Sequence, residues 1–203
     1  GERDNFCVLR KSYRNTVEIA NFASDILAHG EFPGYGAEPV IRHGEAVGIR
    51  QTAGRDLYRE AAKICKGWQT DGFDTIAVIC RDQKQAQETA ELLKKELPVM
   101  PWDPEKASFE KGIMVFPVEY TKGLEFDAVL LLSPDRESYP TDDGHAKLLY
   151  VAATRALHRL EVLHTGNLTG LIVDPIPKKN KKRVSGAKKK VVIVQNPPGG
   201  QEA

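Results

Sequence analysis

Apolar residues recur along this chain in two rhythms. Ile19, Phe22, Ala23, Ile26 and Leu27 follow i, i+3, i+4, i+7 and i+8, the stripe of a helix that buries one face. The spacing predicts a helix from about Asn15 to His29, with Asn15 and Glu18 at capping-box distance and Gly30 just past its end. Leu57, Ala61, Ile64, Cys65 and Trp68 predict a second helix. Ala86, Ala90, Leu93 and Leu97 predict a third, opened by Asp82 and Gln85. Between these stripes lie short, almost unbroken apolar runs: Phe6–Leu9, Thr75–Cys80, Gly112–Val118, Ala128–Leu132 and Leu160–His164. They are strand-length, and Thr75–Cys80 is also rich in β-branched residues, which predicts buried strands. Val47–Gln51 is a further strand candidate, Pro98, Pro101 and Pro104 mark a loop, and His145–Ala156, apolar almost all round, predicts a buried helix. Strands alternating with helices predict an α/β fold around a mostly parallel sheet.

Composition adds a boundary. From Pro175 the text becomes PIPKKNKKRVSGAKKK, which is basic and of low complexity. The chain carries a net charge of +1, but residues 171–203 hold +6 and residues 1–170 hold −5. The expected division is a domain over 1–168 and a basic, flexible tail over 169–203, in which Val191–Val194 could dock as a short strand. The longest apolar run, Leu148–Ala153, is far short of the roughly 20 residues that a membrane span needs. The first residues are charged and lack the basic-then-apolar pattern of a leader. Cys7, Cys65 and Cys80 form no C-x-x-C unit, and the five histidines show no ligand spacing, so no metal site is expected. Sparse, odd cysteines fit a reducing cytoplasm.

Ligands of parallel sheets gather outside the carboxyl ends of the strands, and three segments that follow predicted strands carry candidate chemistry. In Ser12-Tyr13-Arg14-Asn15, a cation stands beside a helix amino terminus whose dipole is already positive. That suits a bound anion, with the Tyr13 ring available to a flat base, or else an ordinary exposed arginine. In Thr121-Lys122-Gly123-Leu124-Glu125-Phe126-Asp127, a Lys-Gly turn offers N–H groups and a charge to an anion, and Glu125 and Asp127 could accept ribose hydroxyls. A plain polar connection is the alternative. The third segment, Leu148 to Ala156, carries Arg155 on the apolar helix. A buried arginine needs a partner, either a carboxylate or a phosphate. No glycine is followed by lysine, so the chain has no P-loop. Anion-binding arginines without a phosphate cradle imply a site shared with another domain.

These segments, in this order, resemble motifs of the UvrD/Rep-type superfamily 1 helicases. SYRNTVEIANF is similar to their motif IV, KGLEFDAVLL to motif V and LLYVAATRAL to motif VI. The resemblance spans Phe6 to Leu163 and implies the second of two RecA-like motor domains, a three-layer P-loop-NTPase-type fold lacking its own P-loop. Within that family, ATP and Mg²⁺ are held mainly by the first RecA-like domain, so the chain looks like a fragment that begins at motif IV. By the same resemblance, Tyr13 would stack on adenine, Arg14 and Arg155 would act as catalytic arginines on the γ-phosphate, and Glu125 and Gly123 would contact the nucleotide. Thr121 and Lys122 would lie against nucleic acid.

Two departures qualify the match. Only about Pro98 to Lys111 stands where the family usually inserts a large accessory domain, and Pro117 and Glu119 replace a Thr-x-His that contacts single-stranded DNA. Both resemble the HelD-type, helicase IV-like branch, some of whose members remodel RNA polymerase. Three functions follow as expectations. One is a motor domain acting on single-stranded or duplex DNA in the cytoplasm, associated with the nucleoid. Another is an ATPase domain that works on RNA polymerase. The last is a non-enzymatic nucleic-acid-binding module acting through the basic tail.

Overall fold

Alternate residues of the apolar runs go to opposite faces of one sheet, which is what a period of two requires. The structure, a computed structural model, describes residues 15–29, 42–100 and 111–173. Tyr13, Arg14, the expected strand Phe6–Leu9, Gly30, Pro101, Pro104 and residues 174–203 of the expected tail lie outside the described residues.

The elements run α1 (Val17–His29), β1 (Gly48–Gln51), α2 (Leu57–Thr70), β2 (Thr75–Cys80), α3 (Gln83–Leu93), β3 (Gly112–Pro117), β4 (Phe126–Leu132), α4 (Asp143–Thr154) and β5 (Ala156–His164). Short 3₁₀ turns cover Gly54–Asp56 and Val118–Tyr120. The sheet order is β1-β5-β4-β2-β3, and all four pairings between these strands are parallel. Ala77, Ile79, Val129, Leu131 and Val162 join Ile19, Ala23 and Ile26 of α1 and Ala146, Leu149 and Ala153 of α4 in one core cluster. Ile76, Val78, Ala128, Leu130 and Leu163 join Ala61, Cys65 and Trp68 of α2 and Ala86 and Leu93 of α3 in the other. The result is three layers, with helices on both faces. Leu171 and Ile172 are buried with α1 and α4. No helix among the described residues is long and apolar enough to cross a membrane.

Among the boundaries that differ from the sequence reading, three have a visible local reason. The α1 cap is Thr16, whose Oγ1 accepts from Ile19 N at 3.3 Å; Asn15 and Glu18 are engaged elsewhere and form no capping box. α4 starts at Asp143 rather than His145, because Asp142 accepts the His145 N–H at 2.8 Å. It ends at Thr154 rather than Ala156, because Ala156 already pairs with Phe126 in the sheet.

Leu130 is fully buried in β4, between β5 and β2. Leu130→Ala is expected to cost about 2–5 kcal/mol. The check is a urea titration, in which the midpoint falls while the slope stays unchanged.

Candidate functional site

An α-helix leaves its last four carbonyls without intrahelical donors. Helix α4 cannot use the common glycine cap, because the chain passes from Thr154 through Arg155 straight into β5. Its carbonyls are met instead by side chains and by the cap residue. Thr154 Oγ1 donates to Val151 O at 3.1 Å, and Arg155 Nε donates to the same carbonyl at 3.0 Å. Arg155 N donates to Ala152 O at 3.3 Å. Thr154 O accepts from Asn15 Nδ2 at 3.0 Å, and the same amide donates to Ala156 O at 2.6 Å. Asn15 is 3% exposed and stands more than 130 residues away in sequence.

The Lys-Gly turn closes on the same point. Arg155 Nη1 donates to Leu124 O at 3.2 Å, and Phe126 N donates to Arg155 O at 2.8 Å. The structure therefore joins Asn15, the residues before β4 and Arg155, one from each of the three segments singled out by sequence.

Among the described residues, Arg155 is held by hydrogen bonds to nearby backbone and hydroxyl groups. Its guanidinium donates to two carbonyls and, through Nη2, to Thr154 Oγ1 at 3.2 Å. These are neutral acceptors. Burial lowers its pKa, and the carboxylate of Glu125 opposes that shift. A half-buried cation held mainly by neutral dipoles has already lost part of its hydration, so an arriving anion would meet a desolvated charge.

The turn places its residues unequally. Lys122, Gly123 and Glu125 are exposed. Gly123 has φ +81°, a left-handed conformation that glycine adopts without a Cβ penalty. Thr121 is fully buried, and its hydroxyl donates to Val118 O at 2.7 Å. Asp127 is committed to the fold: its Oδ2 accepts from Asp74 N at 2.9 Å and Thr75 N at 3.1 Å. It ties β4 to the entry of β2, where the sequence reading had offered it to a ribose.

The junction lies at the amino ends of β4 and β5, since Glu125 and Arg155 immediately precede those strands. Sequence reasoning looked to the carboxyl ends. The segment 118–125 begins at the carboxyl end of β3 but must reach the amino end of β4, because the strands are parallel, and its polar turn falls near the far end of that path. At the carboxyl ends sits a cluster that sequence reasoning missed. Arg81, directly after β2, donates through Nε to Ser138 O at 2.9 Å and lies 5.7 Å from the Tyr139 ring centroid. Its Nη1 is 3.7 Å from Glu119 Oε1. A cation immediately after the most regular strand was the available signal.

Beside the junction, the segment 42–45 is strapped onto α1. Val17 N donates to Arg42 O at 2.9 Å. Glu18 accepts from Gly44 N at 2.8 Å and pairs with His43 at 2.9 Å. The Gly44 N–H, followed by His43, holds the Glu18 carboxyl down from 4.5 to about 2. A Cβ on Gly44 would come within 2.7 Å of Thr16 Cγ2, so a larger residue there would require Thr16 to shift.

With this geometry the comparisons with known proteins agree. Residues 112–163 match the family model of the UvrD-like helicase C-terminal domain. That range holds both the Lys-Gly turn and Arg155. Among solved structures, the chain is similar to the C-terminal domain of a possible DNA helicase from Lactobacillus plantarum, with 25% identity and a TM-score of 0.65. The match covers 78% of this chain and 91% of that one. No curated protein sequence matches the chain. The fold is thus an α/β fold with a parallel five-stranded sheet, consistent with a RecA-like helicase C-terminal domain, and the UvrD-like likeness points to a helicase motor domain.

A carboxyl whose folded pKa is depressed stabilises the fold above its unfolded pKa and loses that contribution as pH falls through the folded value. Glu18 should therefore contribute fully above about pH 4.5 and progressively less down to about 2. Glu18→Gln is expected to flatten the fall in stability across that window, and urea midpoints measured at several pH values would show it.

Proposed function

We propose that this chain is the second motor domain of an ATP-dependent helicase or translocase and that Arg155 is an arginine finger for an ATP site shared with a P-loop domain. The observation that carries this reading is that Asn15 holds the backbone on both sides of Arg155 while the Lys-Gly turn, through Leu124 O, accepts from its half-buried guanidinium. The donor set fits a phosphate but not the metal. No group of three or more His, Cys, Asp or Glu among the described residues could hold a cation. Mg²⁺ and the phosphate cradle would belong to the first motor domain, with Mg²⁺ screening the phosphate charge there.

The residues of this chain would complete that site. Arg155 and Arg14 would meet the γ-phosphate, where charge spreads over the transferring phosphoryl oxygens. Tyr13 would stack on the adenine, Glu125 would accept from the ribose, and Gly123 would let the turn approach closely. Hydrolysis would then require the two domains to close, and repeated closure and opening would move the protein along a nucleic-acid strand past Lys122. The buried, satisfied hydroxyl of Thr121 favours a role for that side chain in shaping the turn.

A second reading has its own observation. Glu119 stands against Arg81 at the carboxyl ends of the strands, and a carboxylate there repels a phosphate backbone. That arrangement favours an ATPase doing conformational work on a protein partner, such as RNA polymerase in the HelD-like branch.

In a protein carrying both motor domains, Arg155→Ala is expected to lower ATP turnover by about 10³- to 10⁵-fold while the domain still unfolds cooperatively. Unchanged turnover would sink the finger assignment. Glu119→Gln is expected to raise affinity for single-stranded DNA by at most about fivefold, as expected for loss of an exposed ion pair, read by fluorescence anisotropy. No change, together with turnover that DNA does not stimulate, would favour the second reading.

A further inference from the structure

We propose that Asn15 is a positioning residue for Arg155, an inference that rests on the finger assignment above. Its carboxamide is almost fully buried and donates to the peptide carbonyls on both sides of the arginine, Thr154 O and Ala156 O. Phe126 N donates to the carbonyl of Arg155 itself. Three successive carbonyls around one residue are thereby pinned, two of them by a single side chain.

The pinning matters because of where Arg155 sits. It is the C-cap of α4, with φ −74° and ψ −16°, and the next residue is already strand. With no loop to absorb error, rotation of either flanking peptide would swing the guanidinium away from Leu124 O and Val151 O. A cap alone would need one donor, on Thr154 O. The second, to Ala156 O, clamps the far side of the arginine as well. Asn15 directly precedes Thr16, the cap of α1, and the Glu18 contacts with Gly44 and His43 hold the first turn of that helix to the strap. The clamp is therefore anchored on a braced helix end. Small misplacements of a catalytic group carry large rate penalties, so the clamp should appear in turnover more than in nucleotide binding.

The test uses the protein with both motor domains. Asn15→Ala is expected to lower kcat by between about tenfold and about hundredfold, with KM for ATP unchanged. Arg155→Lys keeps the charge but lacks the fork that reaches Val151 and Leu124. In that background Asn15→Ala should add little, because both changes remove the same alignment. Losses that multiply independently, or parallel changes in kcat and KM, would mark Asn15 as a structural cap only and overturn the proposal. So would an undiminished kcat in Asn15→Ala while Arg155→Ala is inactive. If Asn15→Ala does not fold, Asn15→Ser, which retains a single donor, carries the same measurements. If Arg155→Ala is itself fully active, the finger assignment has failed and takes this inference with it.

Discussion

A helix that runs into a strand without a loop must find donors for its last carbonyls elsewhere, and this constraint organises the site. At the end of α4 those donors are Thr154, Arg155 and Asn15. A glycine cap would have satisfied the same carbonyls from within the chain and left the arginine on a flexible turn. Here the arginine caps its own helix, and its remaining reach ties the turn before β4 to the start of β5. Helix termination and charge placement are one arrangement.

The same economy explains how an arginine is tolerated between two apolar elements. Its charge is spread over carbonyl and hydroxyl dipoles, with Glu125 adding a longer-range attraction. Tight pairing with a buried carboxylate would oppose any exchange for a phosphate. Neutral acceptors hold the group in place and leave its charge available.

The two ends of the sheet carry different chemistry. Lys122, Gly123, Glu125 and Arg155 gather at the amino ends of β4 and β5, while Arg81 and Glu119 meet at the carboxyl ends of β2 and β3. The segment 118–125 touches both: Glu119 near its start faces Arg81, and Leu124 near its end receives Arg155. Movement at one end therefore has a direct covalent route to the other, over a handful of residues whose Thr121 is buried and hydrogen-bonded.

Much of this was legible in the sequence. The apolar stripes of α2 and α3, the run Thr75–Cys80 and the alternation of strand and helix predicted the layers, because burial periodicity is a local property of the chain. The motif resemblance picked out Arg155 and the Lys-Gly turn as members of one nucleotide site, because residue types at set spacings need no coordinates. What tertiary structure decided were contacts between residues far apart in sequence. Asn15 looked like the cap of its own helix, yet it serves a helix end 139 residues on. Asp127 looked like a ribose acceptor, yet it receives the backbone of Asp74 and Thr75. The choice of strand end was also beyond sequence, since a crossover passes both ends and its text does not say where its polar turn stops. A side chain's partner is set by which elements pack together, and that depends on the whole sheet order.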